Sequence, residues 1–298
     1  MTTLLQIERA GPLTTIQDHG RFGLLQHGIS ASGPMDRGAF DRAGRRAGAA
    51  DDSGIEFTQT LDLTVAGEPV RIGWDGGVFR ARINGLDVPW PHSTVVSKGD
   101  CLSIIPGPSG VYGYLRFGKM LELPSVLGSR ATSSRSRLGG LGGRMLQAGN
   151  ELTLIGEGLP PQHITDDPGT DGPIRFIWGV HSEHFSRDVR QHFATATFRV
   201  SAAMDRMSVR LIDAENVFKG ASILSLVSEP VMPGDIQILG DGTPIVLMRD
   251  HQPTGGYPRI GTVISADLDR FAQLRSGSSV AFAPVTVEHA HQLLRSSL

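Results

Sequence analysis

The chain has 298 residues, a formal net charge of −2, 39% hydrophobic and 19% charged residues, which excludes a disordered or low-complexity protein and leaves room for two hydrophobic cores. No run of Lys or Arg exists to track nucleic acid or an anionic bilayer, so a small molecule or another protein is the expected partner. Cys101 alone cannot form an internal disulfide, no basic-then-apolar leader opens the chain, and no window approaches the roughly 18–20 apolar residues of a membrane helix; the expected location is cytoplasmic.

Taken in chain order, Ser32-Gly33 before Pro34 predicts a helix from Pro34 to about Ala47. Short runs of aliphatic and β-branched residues bounded by turn formers then predict strands at Leu61 to Val65, Val70 to Trp74, Leu102 to Ile105 and Leu152 to Ile155. Cys101 follows a Gly-Asp turn into an apolar run and is expected to be a buried, inert thiol. The stretch from Pro160 to Pro173, rich in Pro, Asp, Thr and Gly, is a natural linker, giving domains at 1–165 and 172–298. Beyond it come a helical stretch at His184 to His192, strands at Ile223 to Val227 and Ile245 to Met248, a helix from Asp267 to Leu274 capped by Ser265 and stopped near Gly277, and a last helix from Val287 to Leu294.

One local pattern recurs. Gly99-Asp100-Cys101-Leu102-Ser103-Ile104 matches Gly234-Asp235-Ile236-Gln237-Ile238-Leu239, with looser copies at Gly149-Asn150-Glu151-Leu152 and Gly277-Ser278-Ser279-Val280, and Met35-Asp36-Arg37 returns as Met204-Asp205-Arg206. The unequal offsets rule out a solenoid and suit two diverged barrels.

Three polar stretches are candidate sites. Asp250-His251-Gln252-Pro253-Thr254-Gly255-Gly256-Tyr257-Pro258-Arg259 follows an apolar strand; paired glycines let backbone N–H groups approach a ligand, and Asp250, Gln252 and Thr254 supply acceptors and donors for an amide or carboxylate. The alternative is a tight turn whose polar groups satisfy one another. Gln17-Asp18-His19-Gly20-Arg21 leads through Ser32, Gly33 and Asp36 to a helix start, where a carboxylate or oxyanion is stabilised; the alternative makes Asp18 and Arg21 a structural ion pair and Ser32 an ordinary cap. Val126-Leu127-Gly128-Ser129-Arg130 with Gly139-Gly140-Leu141-Gly142-Gly143-Arg144 suits an anion loop. His181-Ser-Glu-His184 and His289-Ala-His291 complete no zinc pattern, so no metal is expected. Neither a P-loop, nor a dinucleotide fingerprint, nor a Gly-x-Ser-x-Gly elbow is present.

Together, Gly11-Pro-Leu-Thr-Thr-Ile-Gln17-Asp18 with Gly20-Arg21, Ser32-Gly-Pro-Met-Asp36, Val126-Leu-Gly-Ser-Arg130 and Gln252-Pro-Thr-Gly-Gly-Tyr-Pro258 resemble the allophanate hydrolase subunit 2 family, which includes the C component of 5-oxoprolinase, biotin-dependent carboxyltransferase-like and kinase-inhibitor-antagonist proteins. The resemblance covers nearly the whole chain. It implies a mainly β protein of two cyclophilin-like β-barrel domains with a few short helices. It also implies a composite site shared with a partner, the B component (an allophanate hydrolase subunit 1-like protein), with a lactam-utilisation protein as a further subunit. Departures occur at Pro253, where the family has a threonine, at Met204-Asp-Arg-Met-Ser208, and at Gly118-Lys119.

The resemblance implies a subunit of an ATP-dependent 5-oxoprolinase opening 5-oxoproline to glutamate, with ATP entering through the partner complex. The alternatives are carboxyl transfer to a small amide from biotin carried on another protein, since this chain has no Ala-Met-Lys-Met attachment site, or a non-catalytic regulator. Asp250, Gln252 and Arg21 are the expected catalytic residues, with Asp250 as base or amide-orienting group. Gln17, Asp18, Ser32, Asp36, Thr254, Gly255, Gly256 and Tyr257 are the expected substrate-binding residues. The mechanism expects the Asp250 loop and the Asp18 to Asp36 turn to line one pocket.

Overall fold

A computed structural model describes residues 2–164, 171–220 and 226–296. The chain divides into two compact units, one formed by Met1–Gly23 and Ala31–Asp167, the other by Leu24–Ser30 and Pro168–Leu298.

Among the described residues the first unit holds twelve strands: β1 (Thr3–Ala10), β2 (Thr15–Gln17), β3 (Gly54–Phe57), β4 (Leu61–Gly67), β5 (Val70–Gly76), β6 (Phe79–Ile83), β7 (Leu86–Val88), β8 (His92–Val96), β9 (Cys101–Pro106), β10 (Gly113–Phe117), β11 (Met120–Leu121) and β12 (Glu151–Ile155). They form two sheets, β11-β12-β1-β4-β9-β6-β7 and β2-β3-β10-β5-β8. Alternation decides which side chains face inward: Leu5 and Ile7 of β1, Leu61, Leu63 and Val65 of β4, and Ile72 and Trp74 of β5 join one buried cluster drawn from both sheets. Helix α1 (Arg37–Ala47) lies on the five-stranded sheet. Bare backbone at Gly73 permits this, because a Cβ there would stand 2.5 Å from the Ala43 carbonyl oxygen and 2.7 Å from the Ala47 nitrogen.

The second unit is a closed barrel of β13 (Ile174–Trp178), β14 (Thr197–Met204), β15 (Ser208–Ile212), β17 (Asp235–Ile238), β18 (Pro244–Leu247), β20 (Arg259–Val263) and β21 (Ser279–Pro284), in the order β13-β20-β17-β18-β15-β14-β21. A separate two-stranded ribbon pairs β16 (Glu229–Pro230) with β19 (Thr254–Gly255). Phe176, Phe193 and Phe282 anchor the core, with the Phe193 ring 5.2 Å from each of the other two. Helices α2 (Arg187–Phe193), α3 (Ser265–Ala272) and α4 (Val287–Ser296) complete the unit. The protein is mainly β with few helices, as expected; the barrel closes by hydrogen bonds in the second unit, whereas the first divides its strands between two sheets around one core.

The four recurring stretches, three Gly-Asx and one Gly-Ser, adopt one turn. Gly99, Gly149, Gly234 and Gly277 all have left-handed φ, between 84° and 94°. In each copy the next residue's N–H reaches the carbonyl three residues back: Asp100 to Ser97, Asn150 to Gln147, Asp235 to Met232 and Ser278 to Arg275. In three of them the Asx carboxylate or amide oxygen accepts from the N–H of that same residue, at 2.7–2.9 Å.

Several expectations are corrected. Helix α1 begins at Arg37 with Asp36 as its cap, because Ser32 and Gly33 take left-handed φ values of 58° and 90° and reverse the chain before it. Helix α3 starts at Ser265 and has no side-chain cap; Asp267 in its first turn instead takes the Arg175 N–H and guanidinium. A short 3-10 turn at Ser182–His184 precedes α2, whose cap is Ser186. Cys101 is exposed: Leu102 and Ile104 take the inward face of β9, and alternation turns the thiol outward. Of the expected strand at Ile223 to Val227, residues 223–225 lie outside the described residues and 226–227 are not strand; of the expected linker, residues 165–170 also lie outside them.

Candidate functional site

In the first unit β2 carries Gln17 into a fully buried position. Its Nε2 donates to Thr15 Oγ1 (2.9 Å) and the Thr132 carbonyl (3.2 Å), while its Oε1 accepts from the Gly33 N–H (3.1 Å). Next to it, Asp18 Oδ1 accepts from the Gly20 N–H (2.9 Å) and the Ser129 hydroxyl (2.6 Å), and Oδ2 accepts from the Arg130 N–H. Arg21, also buried, donates to the main-chain carbonyls of Val126, Ser129 and Ala131. Two stretches more than a hundred residues apart are thus one network, in which Arg21 holds the 126–131 segment through its carbonyls. Two buried hydroxyl oxygens at its edge, Ser32 Oγ and Thr132 Oγ1, have no hydrogen-bond partner. Buried polar atoms are nearly always satisfied, which sets these two hydroxyls apart from the rest of the network.

The end of this turn is tied down by Asp36 together with Tyr114 and Glu56, two residues not singled out in the sequence. The Asp36 carboxylate caps α1 by accepting from the Ala39 N–H (2.8 Å), so the protein's own anion occupies the helix start. Tyr114 Oη accepts from the Asp36 N–H (2.7 Å) and donates to Glu56 Oε2 (3.0 Å), which also takes the Met35 N–H (2.8 Å). Burial, reinforced by the charges of Glu56 and Asp36, pushes the Tyr114 phenol well above its ordinary range, so it stays a donor. The signal available in the sequence was a charged residue inside the apolar run Gly-Ile-Glu-Phe57, and the structure buries that Glu56 fully.

In the second unit Asp250 forms a buried, two-pronged pair with Arg206: Nε to Oδ2 at 2.9 Å and Nη2 to Oδ1 at 3.2 Å. Both carboxylate oxygens therefore face a guanidinium donor, and the carboxylate is engaged with Arg206 within the protein. His251 Nδ1 donates to the Gln252 carbonyl (2.7 Å), and burial pushes its imidazole below the usual range. Gln252 Nε2 donates to Gln237 Oε1 (3.4 Å), while Gln252 Oε1 is buried with no partner. A Cβ at Gly255 would stand 2.5 Å from Gln237 Nε2, so a side chain there would displace the Gln237 amide, and the Gly256 carbonyl accepts the Leu226 N–H. Thr254 and Tyr257 are exposed on the ribbon and its continuation.

Below the ribbon, Arg259 donates to Glu229 Oε2 (2.7 Å) and Asp235 Oδ2 (3.4 Å), and its N–H donates to His181 Nδ1 (3.2 Å). Burial lowers the His181 pKa against the opposing pull of Glu229. Among the described residues no group of three metal-ligating side chains converges, and no helix is long and apolar enough to cross a membrane.

A cleft of about 500 Å³ elsewhere in the second unit is lined by Arg210, Asp213, Asn216, Lys219 and Asp241 among others, and contains none of the sequence-predicted residues. We place the candidate site at the buried polar clusters and not at this cleft, because only the clusters join the sequence motifs to unfilled amide and hydroxyl positions.

The chain is thus a mainly β protein of two units, each holding a buried glutamine, Gln17 and Gln237, in a glycine-flanked polar cluster. Residues 27–284 match the family model described as carboxyltransferase domain, subdomain A and B, and the chain belongs to that family. It is 31% identical to the C component of 5-oxoprolinase from Haemophilus influenzae, covering 94% of this chain and 91% of that protein. It is 32% identical to the C component of 5-oxoprolinase from Escherichia coli, covering 96% and 93%. The crystal structure of Kluyveromyces lactis urea carboxylase superposes with a TM-score of 0.87 at 25% identity, over 99% of this chain and 28% of that one. These relatives are enzymes or parts of enzymes.

Proposed function

We propose that the chain is one subunit of an ATP-dependent 5-oxoprolinase, opening the cyclic amide 5-oxoproline to glutamate together with a B-component partner and a lactam-utilisation subunit. The supporting observation is the end-to-end correspondence with two proteins named as the C component of 5-oxoprolinase, whose lengths are covered at 91% and 93%. In this reading the substrate amide meets a protein amide. Gln252 Oε1 accepts the ring N–H, and the Gly255-Gly256 main chain with Thr254 and Tyr257 borders the ring. Asp250 acts through the loop that Arg206 fixes, and Arg21 through the segment it holds. Gln17, Asp18, Ser32 and Asp36 form the corresponding polar turn of the first unit. ATP enters through the partner subunits.

The test is to mix the chain with its partner subunits, 5-oxoproline and ATP. Substrate-dependent ATP turnover that falls at least tenfold in Gln252→Ala is the expected outcome; no turnover in the intact mixture refutes the reading. A second reading, carboxyl transfer to an amide, is favoured by the TM-score of 0.87 with a urea carboxylase. Biotin's ureido ring offers the same carbonyl and N–H groups as an amide, so the unfilled Gln252 Oε1 fits it, and carboxybiotin carried on another protein would supply the carboxyl group. Radiolabel passing from carboxybiotin to an amide, without ATP turnover on 5-oxoproline, would select this reading.

A further inference from the structure

Gln237 occupies a position that the fold itself fills with aliphatic residues. In the four copies of the turn, the third residue after the glycine is Leu102, Leu152, Gln237 and Val280. All four are buried, at 1%, 1%, 0% and 4% exposure. Three copies therefore show that this inward position asks only for an apolar side chain, and the fourth places a primary amide there. A buried amide is costly unless its hydrogen bonds are made. Those of Gln237 are long: Oε1 accepts from Gln252 Nε2 at 3.4 Å and Nε2 donates to the Tyr257 carbonyl at 3.5 Å. Stability of the barrel does not account for it.

What Gln237 does is fix which end of the Gln252 amide is engaged by the protein. By taking the Gln252 NH2 group, it leaves Gln252 Oε1 as the buried atom without a partner. The donor end is thereby engaged and the acceptor end left without a protein partner. Gly255 keeps the arrangement possible, since any side chain there would press on Gln237 Nε2. We infer that Gln237 is a positioning residue for substrate specificity: through Gln252 it makes the site select ligands carrying an amide N–H over otherwise equal ligands lacking it. This inference rests on the proposed amide-substrate reading and deepens it.

The variant Gln237→Leu restores the residue type of the other copies, so it should fold with a Tm no lower than the parent. Gln237→Glu keeps an acceptor for the Gln252 NH2 group and serves as the rescue. In the assembled complex, kcat/KM is compared for 5-oxoproline and its N-methyl analogue. The parent and Gln237→Glu should prefer the N–H substrate by about tenfold or more, and Gln237→Leu should lose most of that preference. An unchanged preference in Gln237→Leu, or equal use of both substrates by the parent, overturns the inference. A second measurement does not depend on the substrate: the 15N side-chain amide resonances of Gln252 in the full chain should move in Gln237→Leu and stay near their parent positions in Gln237→Glu. If they do so while the complex ignores 5-oxoproline, the substrate reading fails and the positioning role stands; if Gln252 does not respond to Gln237→Leu, the positioning role fails.

Discussion

Replacing Asp250 by Asn tests the assignment of that residue as an anchor. Asp250 and Arg206 are nearly removed from solvent, with side-chain exposures of 10% and 6%, and share two hydrogen bonds of 2.9 and 3.2 Å. Removing one charge leaves the other buried without its counter-ion, which costs about 3–5 kcal/mol, a large fraction of the roughly 5–15 kcal/mol that holds a typical protein folded. At roughly 2–4 °C per kcal/mol for a unit of this size, the Tm should fall by about 6–20 °C. Arg206→Met should do the same. The double variant Asp250→Leu/Arg206→Met, which removes both charges together, should be more stable than either single variant, since an apolar pair is often no worse than a buried ion pair. Calorimetry of the four proteins gives the coupling directly. A loss under about 1 kcal/mol for Asp250→Asn, or additive losses in the double variant, would mean that the pair is not the anchor described and would return Asp250 to the role of a free carboxylate.

Tyr114→Phe removes the hydroxyl that links Glu56 to the Asp36 N–H; a loss of roughly 1–3 kcal/mol in urea unfolding is expected, and no loss would show that the buried carboxylate has other support. Burial lowers the imidazole pKa of both His251 and His181 below 6.5 in the folded chain. The unfolded chain therefore takes up protons first as the pH falls, so stability is full above about pH 6.5 and declines from there toward the folded values; His251→Asn should flatten that decline in pH-dependent melts. Cys101, facing outward from β9, should react with a maleimide in the native protein as fast as after unfolding, whereas a protected thiol would contradict its placement.

Five of the six strands named from the sequence are legible because their punctuation is local, Gly, Pro or Asx residues closing the runs, and the four related turns stand out by the same signal. Cap choice is not, because Ser32 and Asp36 are equally good caps by type and only the left-handed backbone at Ser32 and Gly33 decides between them. The apolar neighbours of Cys101 point to a buried thiol, yet the face-to-face alternation of β9 is the stronger signal and turns it outward. The motif residues are engaged as their chemistry suggests, but their partners come from afar: Arg206 lies 44 positions from Asp250, and Ser129 lies 111 from Asp18. Gln237 stands in a recognisable repeat, and the clue is the mismatch of its side chain with Leu102, Leu152 and Val280.

The bare strand under α1 has a mechanical consequence. With main chain resting on main chain at Gly73, the helix cannot roll about its axis without driving its own carbonyls into the sheet. It is therefore a fixed abutment for the polypeptide that enters it at Asp36. Any accommodation of that approach to an incoming molecule has to be taken up upstream, at the Ser32-Gly33 reversal, whose dihedrals already lie away from those of the helix and strand on either side.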